Sequence, residues 1–259
     1  MLPSLFIAHG SPMLAVENNS YTQYLSQLGS SMPKPDAVVL LSAHWTTGVQ
    51  MVSDTQKYGT IHDFGGFPPA LYQIQYPACG QHDVAQRVQR LLQDHGVPYQ
   101  VDSQRGLDHG AWVILRLLYP SSDVPVVAMS VTPRSTPEDQ YRVGKALGEL
   151  RAHNILVIGS GGTVHNLAAV NFHDDERVDD WAVAFDDWLQ AQLTEWDLDS
   201  LFNYRKMAPG VHMAVPPSRN EHFIPLFYAM GAADDSPAAQ LLYRGYLYGN
   251  LSHTVWQFG

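Results

Sequence analysis

The chain of 259 residues has little cysteine and little positive charge, and it lacks any long hydrophobic run. The lone Cys79 cannot form a disulfide within the chain, and it excludes zinc sites built from several thiolates. The 15 basic residues are outnumbered by 25 acidic ones, which argues against a nucleic-acid-binding face because such a face needs clustered lysine and arginine. No apolar run approaches the roughly 20 residues of a membrane span, and the N-terminal residues lack the pattern of a signal peptide. We therefore expect a soluble, cytoplasmic protein.

Apolar residues make up 45% of the sequence, and no repeat or linker marks a domain boundary. Short apolar runs alternate with helical patterns, which is typical of an α/β domain with a mostly parallel sheet flanked by helices. The sequence therefore predicts a single domain over residues 1–259. Strands are predicted at 5–8, 37–43, 49–53, 124–130 and 154–159, with two closing antiparallel strands at 240–248 and 252–257. Helices are predicted at 21–28, 81–95, 110–119, 137–151 and 179–195.

Histidine is abundant, with 12 residues. His9 follows the first apolar run, His44 ends the second, and His165 follows the fifth through a glycine-rich segment. Because ligands of parallel sheets bind beyond the carboxyl ends of the strands, we expect these side chains in one crevice. Imidazole without thiolate favours zinc, non-haem iron, manganese, copper or nickel. The alternative for each single histidine is a hydrogen-bonded structural role.

The pair Glu221-His222 is a further candidate for metal binding. Ser218 and Glu221 have the spacing of a capping box, which indicates a helix start, but Pro225 would kink such a helix. The spacing alone supports equally a helix start and a loop in which either side chain is free to bind a metal. His109 precedes an apolar helix, where it either caps and packs or serves as an acid/base beside the metal.

An aromatic loop at 61–69 carries His62 and Phe64 between turn residues, and it either anchors a turn or covers an aromatic substrate. Trp45, Phe64, Phe67 and Tyr72 either line a flat apolar slot or pack in the core, and core packing is favoured for Tyr72. No nucleotide-binding fingerprint is completed, which favours chemistry carried by metal and substrate alone.

Two other sequence patterns do not indicate a catalytic or metal site. Ser160 lacks the preceding glycine of a nucleophile elbow, and the acidic run at 174–176 is expected to form a solvated face or a helix start. The remaining histidines are expected to be structural or surface residues: His82, His95, His153, His173, His212 and His253.

Several segments together resemble one known family. They are His9-Gly10-Ser11-Pro12, Ser42-Ala43-His44-Trp45, residues 61–68, Asp108-His109-Gly110, Val164-His165-Asn166-Leu167 and Glu221-His222. In combination they look like the DODA-type extradiol aromatic ring-opening dioxygenases, which belong to the LigB-like superfamily typified by the catalytic subunit of protocatechuate 4,5-dioxygenase. The matching segments run from the first strand to near the C-terminus, so the resemblance covers essentially the whole chain.

The resemblance implies one α/β domain with a non-haem metal at the C-terminal ends of the strands. The metal ligands that it implies are His9, His44 and His222. By the same likeness, His165 is either a fourth ligand or the acid/base, and His109 is a second catalytic or substrate-contacting histidine. The protocatechuate branch uses a glutamate as its third ligand, so Glu221 stands as the alternative to His222.

The implied reaction is extradiol cleavage, of the 4,5 type, of a catechol such as L-DOPA by O2 to a muconate semialdehyde. Fe(II) is the expected metal, and Zn(II) is able to occupy the same site after isolation. His165 is the first choice to accept the phenolic proton and His109 the second. The candidate substrate contacts are His62, Phe64, Trp45 and, for a carboxylate, Arg219. The alternative is a zinc-binding protein of the same fold with a hydrolytic, latent or partner-binding role, and monomer and homodimer are both compatible with the sequence.

Overall fold

The computed structural model describes residues 1–171 and 177–259. In the described part the strands are β1 Ser4–Ala8, β2 Ala37–Thr46, β3 Gln50–Ser53, β4 Tyr99–Asp102, β5 Val126–Val131, β6 Ile155–Gly161, β7 Ala239–Leu247 and β8 Leu251–Phe258. They form one sheet in the order β4-β3-β5-β2-β6-β1-β8-β7. The four central strands run parallel to one another in the order β5, β2, β6 and β1. Strand β8 pairs antiparallel with β1, and β7 pairs antiparallel with β8. The predicted α/β domain and its antiparallel closing pair are confirmed.

Helices cover both faces of the sheet. Their bounds are α1 Ser20–Ser31, α2 His82–Asp94, α3 His109–Leu118, α4 Pro137–Leu147, α5 Asp180–Glu195, α6 Leu198–Phe202, α7 Tyr204–Met207, α8 Val211–Ala214 and α9 Pro225–Gly231. Short 3-10 helices lie at Pro12–Ala15, Pro69–Gln73 and Gly148–His153. The residues of β2 alternate between the two faces: Val39 joins the core under α2, α4 and α9, and Val38 joins the core under α1 and α3.

The local sequence explains where the helices near the site begin. The Asp108 side chain accepts a hydrogen bond from the backbone N–H of Ala111, which caps α3 and makes His109 its first residue. Helix α9 begins at Pro225, at a position where a proline is tolerated because its missing N–H would have no partner in the helix. Glu221 and His222 therefore lie in the loop before α9, as in the second interpretation of that segment, and Ser218 does not start a helix.

Other elements differ from the prediction. The sequence predicts neither strand β4 nor the four helices from α6 to α9. The predicted helix at 137–151 is an α-helix only to Leu147 and continues as a 3-10 helix from Gly148. His173 and the acidic run at 174–176 lie outside the described residues. Within the described part of the chain, no helix has the length and apolar character needed to cross a membrane.

Candidate metal centre

Three histidines from separate parts of the chain face one another at the carboxyl end of the sheet. His9 follows β1 directly and His44 lies near the end of β2; β1 and β2 both pair with β6, so their ends adjoin. His222 comes from the loop before α9. The Nε2 atom of His44 lies 3.0 Å from Nε2 of His9 and 3.2 Å from Nε2 of His222. The three side chains expected to bind a metal are thus brought together.

The other ring nitrogen of His9 is held by a serine. Its Nδ1 lies 3.0 Å from the Ser160 hydroxyl oxygen, and that hydroxyl donates to the Gly110 carbonyl oxygen at 2.5 Å. Because the hydroxyl proton is used by Gly110, the Ser160 oxygen accepts from Nδ1–H of His9. The Nε2 of His9 is therefore left with its lone pair.

A carboxylate lies beside Nδ1 of each of the other two rings. The Nδ1 of His44 lies 3.3 Å from a carboxylate oxygen of Asp63, and Nδ1 of His222 lies 3.2 Å from one of Glu221. An ionised carboxylate only accepts hydrogen bonds, so Nδ1 of His222 carries the proton. The negative charge of Asp63 favours the same tautomer of His44, which leaves each Nε2 with its lone pair. Glu221 thus contacts the histidine cluster through His222.

The environment keeps these imidazoles uncharged. Burial, with the neighbouring His44, lowers the pKa of His9 well below its ordinary value of 6.5, and burial has the same effect on His222. Burial, with the neighbouring His109, lowers the pKa of His44 to about 4. Neutral imidazole is the form that binds a metal ion.

The donor set fits a metal ion. Three nitrogen lone pairs that face one another repel unless a cation lies between them. Two nitrogens bound to one ion at about 2.1 Å each are at most about 4 Å apart, and the measured separations of 3.0 and 3.2 Å satisfy that limit. Second hydrogen bonds that fix the tautomer of each ligand are also typical of metal sites.

Two more histidines flank this cluster. The ring of His165 stacks on that of His222, with centroids 3.7 Å apart and planes at 4°. Burial, with the neighbouring His222, lowers the pKa of His165 to about 2, so that the ring is neutral. On the other side the ring of His109 lies 3.9 Å from that of His44. The five predicted histidines therefore form one group.

A cavity of about 470 Å³ opens over this group, within the range of small-molecule sites. All five of these histidines lie in its wall, with the apolar side chains of Phe64, Phe67, Met13, Val164, Leu167 and Leu251. Arg219 is exposed in the same wall, which also includes Glu221, two residues further along the chain. The site thus combines neutral imidazoles with an apolar lining and a cation in its wall.

Two predicted substrate contacts are held elsewhere. Trp45 is buried in the core on the α3 side of the sheet, with the Arg105 guanidinium 4.9 Å from the centre of its ring. The Nε2 of His62 lies 3.0 Å from the Ile74 carbonyl oxygen, to which it donates. Neither side chain lines the cavity, whereas Phe64 and Arg219 do.

The sequence analysis gave no role in this site to three residues of the region. Asp63 lies in the quoted aromatic loop, where an acidic residue beside several histidines was an available signal. Ser160 was considered only as a nucleophile, although it holds His9. His253 lines the cavity from β8, and no local pattern marks it.

Known proteins resemble the chain over its whole length. A family model described as the catalytic LigB subunit of aromatic ring-opening dioxygenase matches residues 3–258. A protein of Escherichia coli (strain K12) named 4,5-DOPA dioxygenase extradiol is 38% identical over 263 residues, which is 100% of this chain and 95% of that protein. One of the same name from Mirabilis jalapa is 37% identical over 249 residues, covering 95% of this chain and 92% of the relative.

A solved structure supports the same relationship. The crystal structure of an uncharacterized protein from Escherichia coli K12 superposes with a TM-score of 0.85 at 33% identity, and the match covers 100% of both chains. Together with the family model and the full-length relatives, this likeness shows that the chain belongs to the LigB family of aromatic ring-opening dioxygenases.

Proposed function

We propose that the protein is an extradiol dioxygenase that opens the ring of a catechol, with a metal ion held by His9, His44 and His222. The observation that carries this proposal is the meeting of three Nε2 lone pairs at one end of an apolar cavity. Membership of the LigB family supports the reaction class. Bound at these nitrogens, Fe(II) would supply a Lewis acid that acidifies the catechol and a redox centre that brings it together with O2.

His165 is the proposed acid/base. The lone pair of an imidazole nitrogen lies in the plane of its ring. Because the rings of His165 and His222 are stacked in parallel planes, they cannot both direct a lone pair at one ion. His165 is therefore free to take the proton of a catechol hydroxyl, and its ring is neutral before substrate binds.

His109 is the second proposed proton-handling residue. Its Nδ1 lies 3.0 Å from a carboxylate oxygen of Asp63, to which it donates, so Nε2 is the nitrogen left to meet a substrate. The ring of Phe64 packs edge-on against His109 with centroids 5.7 Å apart, and Phe64 and Phe67 supply an apolar wall for an aromatic ring.

The proposed substrate is a catechol with an amino-acid tail, such as L-DOPA, cleaved at the 4,5 bond. Relatives named 4,5-DOPA dioxygenase extradiol, 37–38% identical to this chain, support that choice. Arg219 is exposed in the cavity wall and has no ion-pair partner among the described residues, so it is available to bind a carboxylate. The second substrate is O2.

The experiment is turnover of L-DOPA by protein reconstituted anaerobically with Fe(II), followed by mass spectrometry of the yellow product. Extradiol cleavage keeps every atom of the catechol and of one O2, less one water where the tail amine closes on the new aldehyde. A product whose mass is neither that of the catechol plus one O2 nor that sum less one water would contradict the proposal. Zn(II)-loaded protein is the matched control, because zinc has no redox chemistry.

A further inference from the structure

One carboxylate lies between two histidines of the site. Asp63 offers Oδ2 to Nδ1 of His44 at 3.3 Å and Oδ1 to Nδ1 of His109 at 3.0 Å. Its Oδ1 also accepts the backbone N–H of His109 at 2.9 Å. We propose that Asp63 is a positioning residue that fixes the tautomer and orientation of a metal ligand and of a proton-handling histidine at once. The part concerning His109 rests on the proposed function.

The two oxygens serve different purposes. Toward His44, the carboxylate lies 3.3 Å from Nδ1, where its negative charge favours the tautomer with the proton on Nδ1 and leaves the Nε2 lone pair at the point shared with His9 and His222. Such outer hydrogen bonds orient metal-binding imidazoles and strengthen them as ligands. Among the described residues, Asp63 is the acidic side chain recorded against Nδ1 of His44.

The same side chain also holds His109, which lies in the wall of the cavity. The hydrogen bonds to Nδ1 and to the backbone N–H join the loop of Asp63 to the first residue of α3. Phe64 follows Asp63 directly and its ring packs on His109. Asp63 therefore couples the metal ligand, the second histidine and the aromatic wall in one short segment.

The negative charge of Asp63 suits its position between His44 and His109. The carboxylate of Asp63 lies 3.0 Å from Nδ1 of His109 and 3.3 Å from Nδ1 of His44, so its negative charge faces both rings. An ionised Asp63 accepts a hydrogen bond from Nδ1 of His109, attracts the Nδ1–H of His44, and donates to neither ring. An asparagine has one carbonyl oxygen and one NH2 group, so it cannot accept from both Nδ1–H groups.

The test compares wild-type protein with Asp63→Asn, which keeps the shape of the side chain. The control is Asp54→Asn: Asp54 accepts from Nδ1 of His82 at 2.9 Å in a partly exposed carboxylate–histidine pair outside the cavity wall. The first readout is the Kd for Zn(II), measured by chelator competition. The second is kcat and KM for L-DOPA at saturating Fe(II).

We expect Asp63→Asn to weaken Zn(II) binding by about 10- to 100-fold, and to lower kcat at saturating Fe(II) much more than it raises KM. Asp54→Asn should match wild type in both. Wild-type zinc affinity in a folded Asp63→Asn protein would overturn the proposal. So would two zinc ions per wild-type chain with one lost in the variant, since Asp63 would then be a ligand with His44 and His109.

The zinc measurement needs no turnover, so it separates this inference from the proposed reaction. If wild-type protein cleaves no catechol and Asp63→Asn still loses zinc affinity, the proposed function fails and the role of Asp63 toward His44 stands. If wild-type protein turns over and Asp63→Asn retains both affinity and kcat, the role of Asp63 fails and the function stands.

Discussion

The backbone carbonyl of His222 accepts a hydrogen bond from the N–H of Gly162 at 2.8 Å, which ties the loop of this histidine to the end of β6. The approach is close because Gly161 has no side chain: a Cβ there would lie 2.0 Å from the same carbonyl oxygen. The placement of His222 beside His9 and His44 therefore depends on a glycine in a neighbouring strand.

Gly161→Ala should displace His222 and weaken metal binding, because the added methyl group meets backbone that cannot rotate away. Overpacking of this kind costs about 1–3 kcal/mol of the free energy of unfolding. Urea denaturation and zinc titration measure the two effects. Gly48→Ala is the control, since a Cβ at Gly48 meets no atom within 4 Å. Equal zinc affinity of the two variants would contradict the argument.

His165→Ala should lower kcat by about 10²- to 10⁴-fold, the usual contribution of a general acid/base. It should leave metal stoichiometry unchanged, because the stacked ring of His165 does not point at the ion held by the other three. Metal analysis and steady-state kinetics on the same preparation check both statements. His153→Ala, which removes an exposed histidine just before the start of β6, at the other end of that strand from the site, controls for the substitution. Loss of metal would instead identify His165 as a ligand, and full turnover would remove its acid/base role.

Arg219→Ala should raise KM for L-DOPA by about tenfold or more, the equivalent of one charge-assisted hydrogen bond. It should leave KM for unsubstituted catechol unchanged, because that substrate has no carboxylate. The comparison of the two substrates measures the tail contact alone. An equal change for both substrates, or none for either, would show that Arg219 does not bind the carboxylate.

Stability of the metal-free protein should fall in acid partly because of His253. Burial lowers the pKa of His253 from 6.5 to about 4. As the pH falls below 6.5 the unfolded chain takes up a proton that the folded chain still excludes, so unfolding is favoured until the folded form is protonated near pH 4. This one group contributes a loss of roughly 3 kcal/mol across that window.

His253→Phe isolates that contribution. The ring of His253 stacks on Tyr21 with centroids 4.5 Å apart, and phenylalanine preserves the stack without a titrating group. The four other histidines with a lowered pKa destabilise both proteins in acid in the same direction. Urea unfolding at a series of pH values should therefore give a shallower decline for the variant; parallel curves would contradict the assignment.

Much of the site could be predicted because it lies at strand ends. His9 and His44 follow apolar runs that had to be parallel strands, and the carboxyl ends of parallel strands meet at one edge. The choice between Glu221 and His222 could not be made from spacing, since it depends on which side chain of the loop before α9 turns inward. The residues missed, Asp63 and Ser160, act through contacts that join distant segments.

The missed elements have physical explanations too. Strand β4 is a four-residue edge strand with two exposed residues, so it lacks the apolar run of the central strands. Helix α9 is buried on every side, and its short apolar sequence shows no helical periodicity.

The most direct test of the central claim is oxygen uptake by metal-free protein reloaded anaerobically with Fe(II) and given L-DOPA and a panel of catechols. The account predicts uptake of one O2 per catechol, a yellow product, and loss of both when His9 or His44 is replaced by alanine. Absence of uptake by protein shown to contain stoichiometric iron would contradict it, and would leave a zinc-binding role for this histidine cluster.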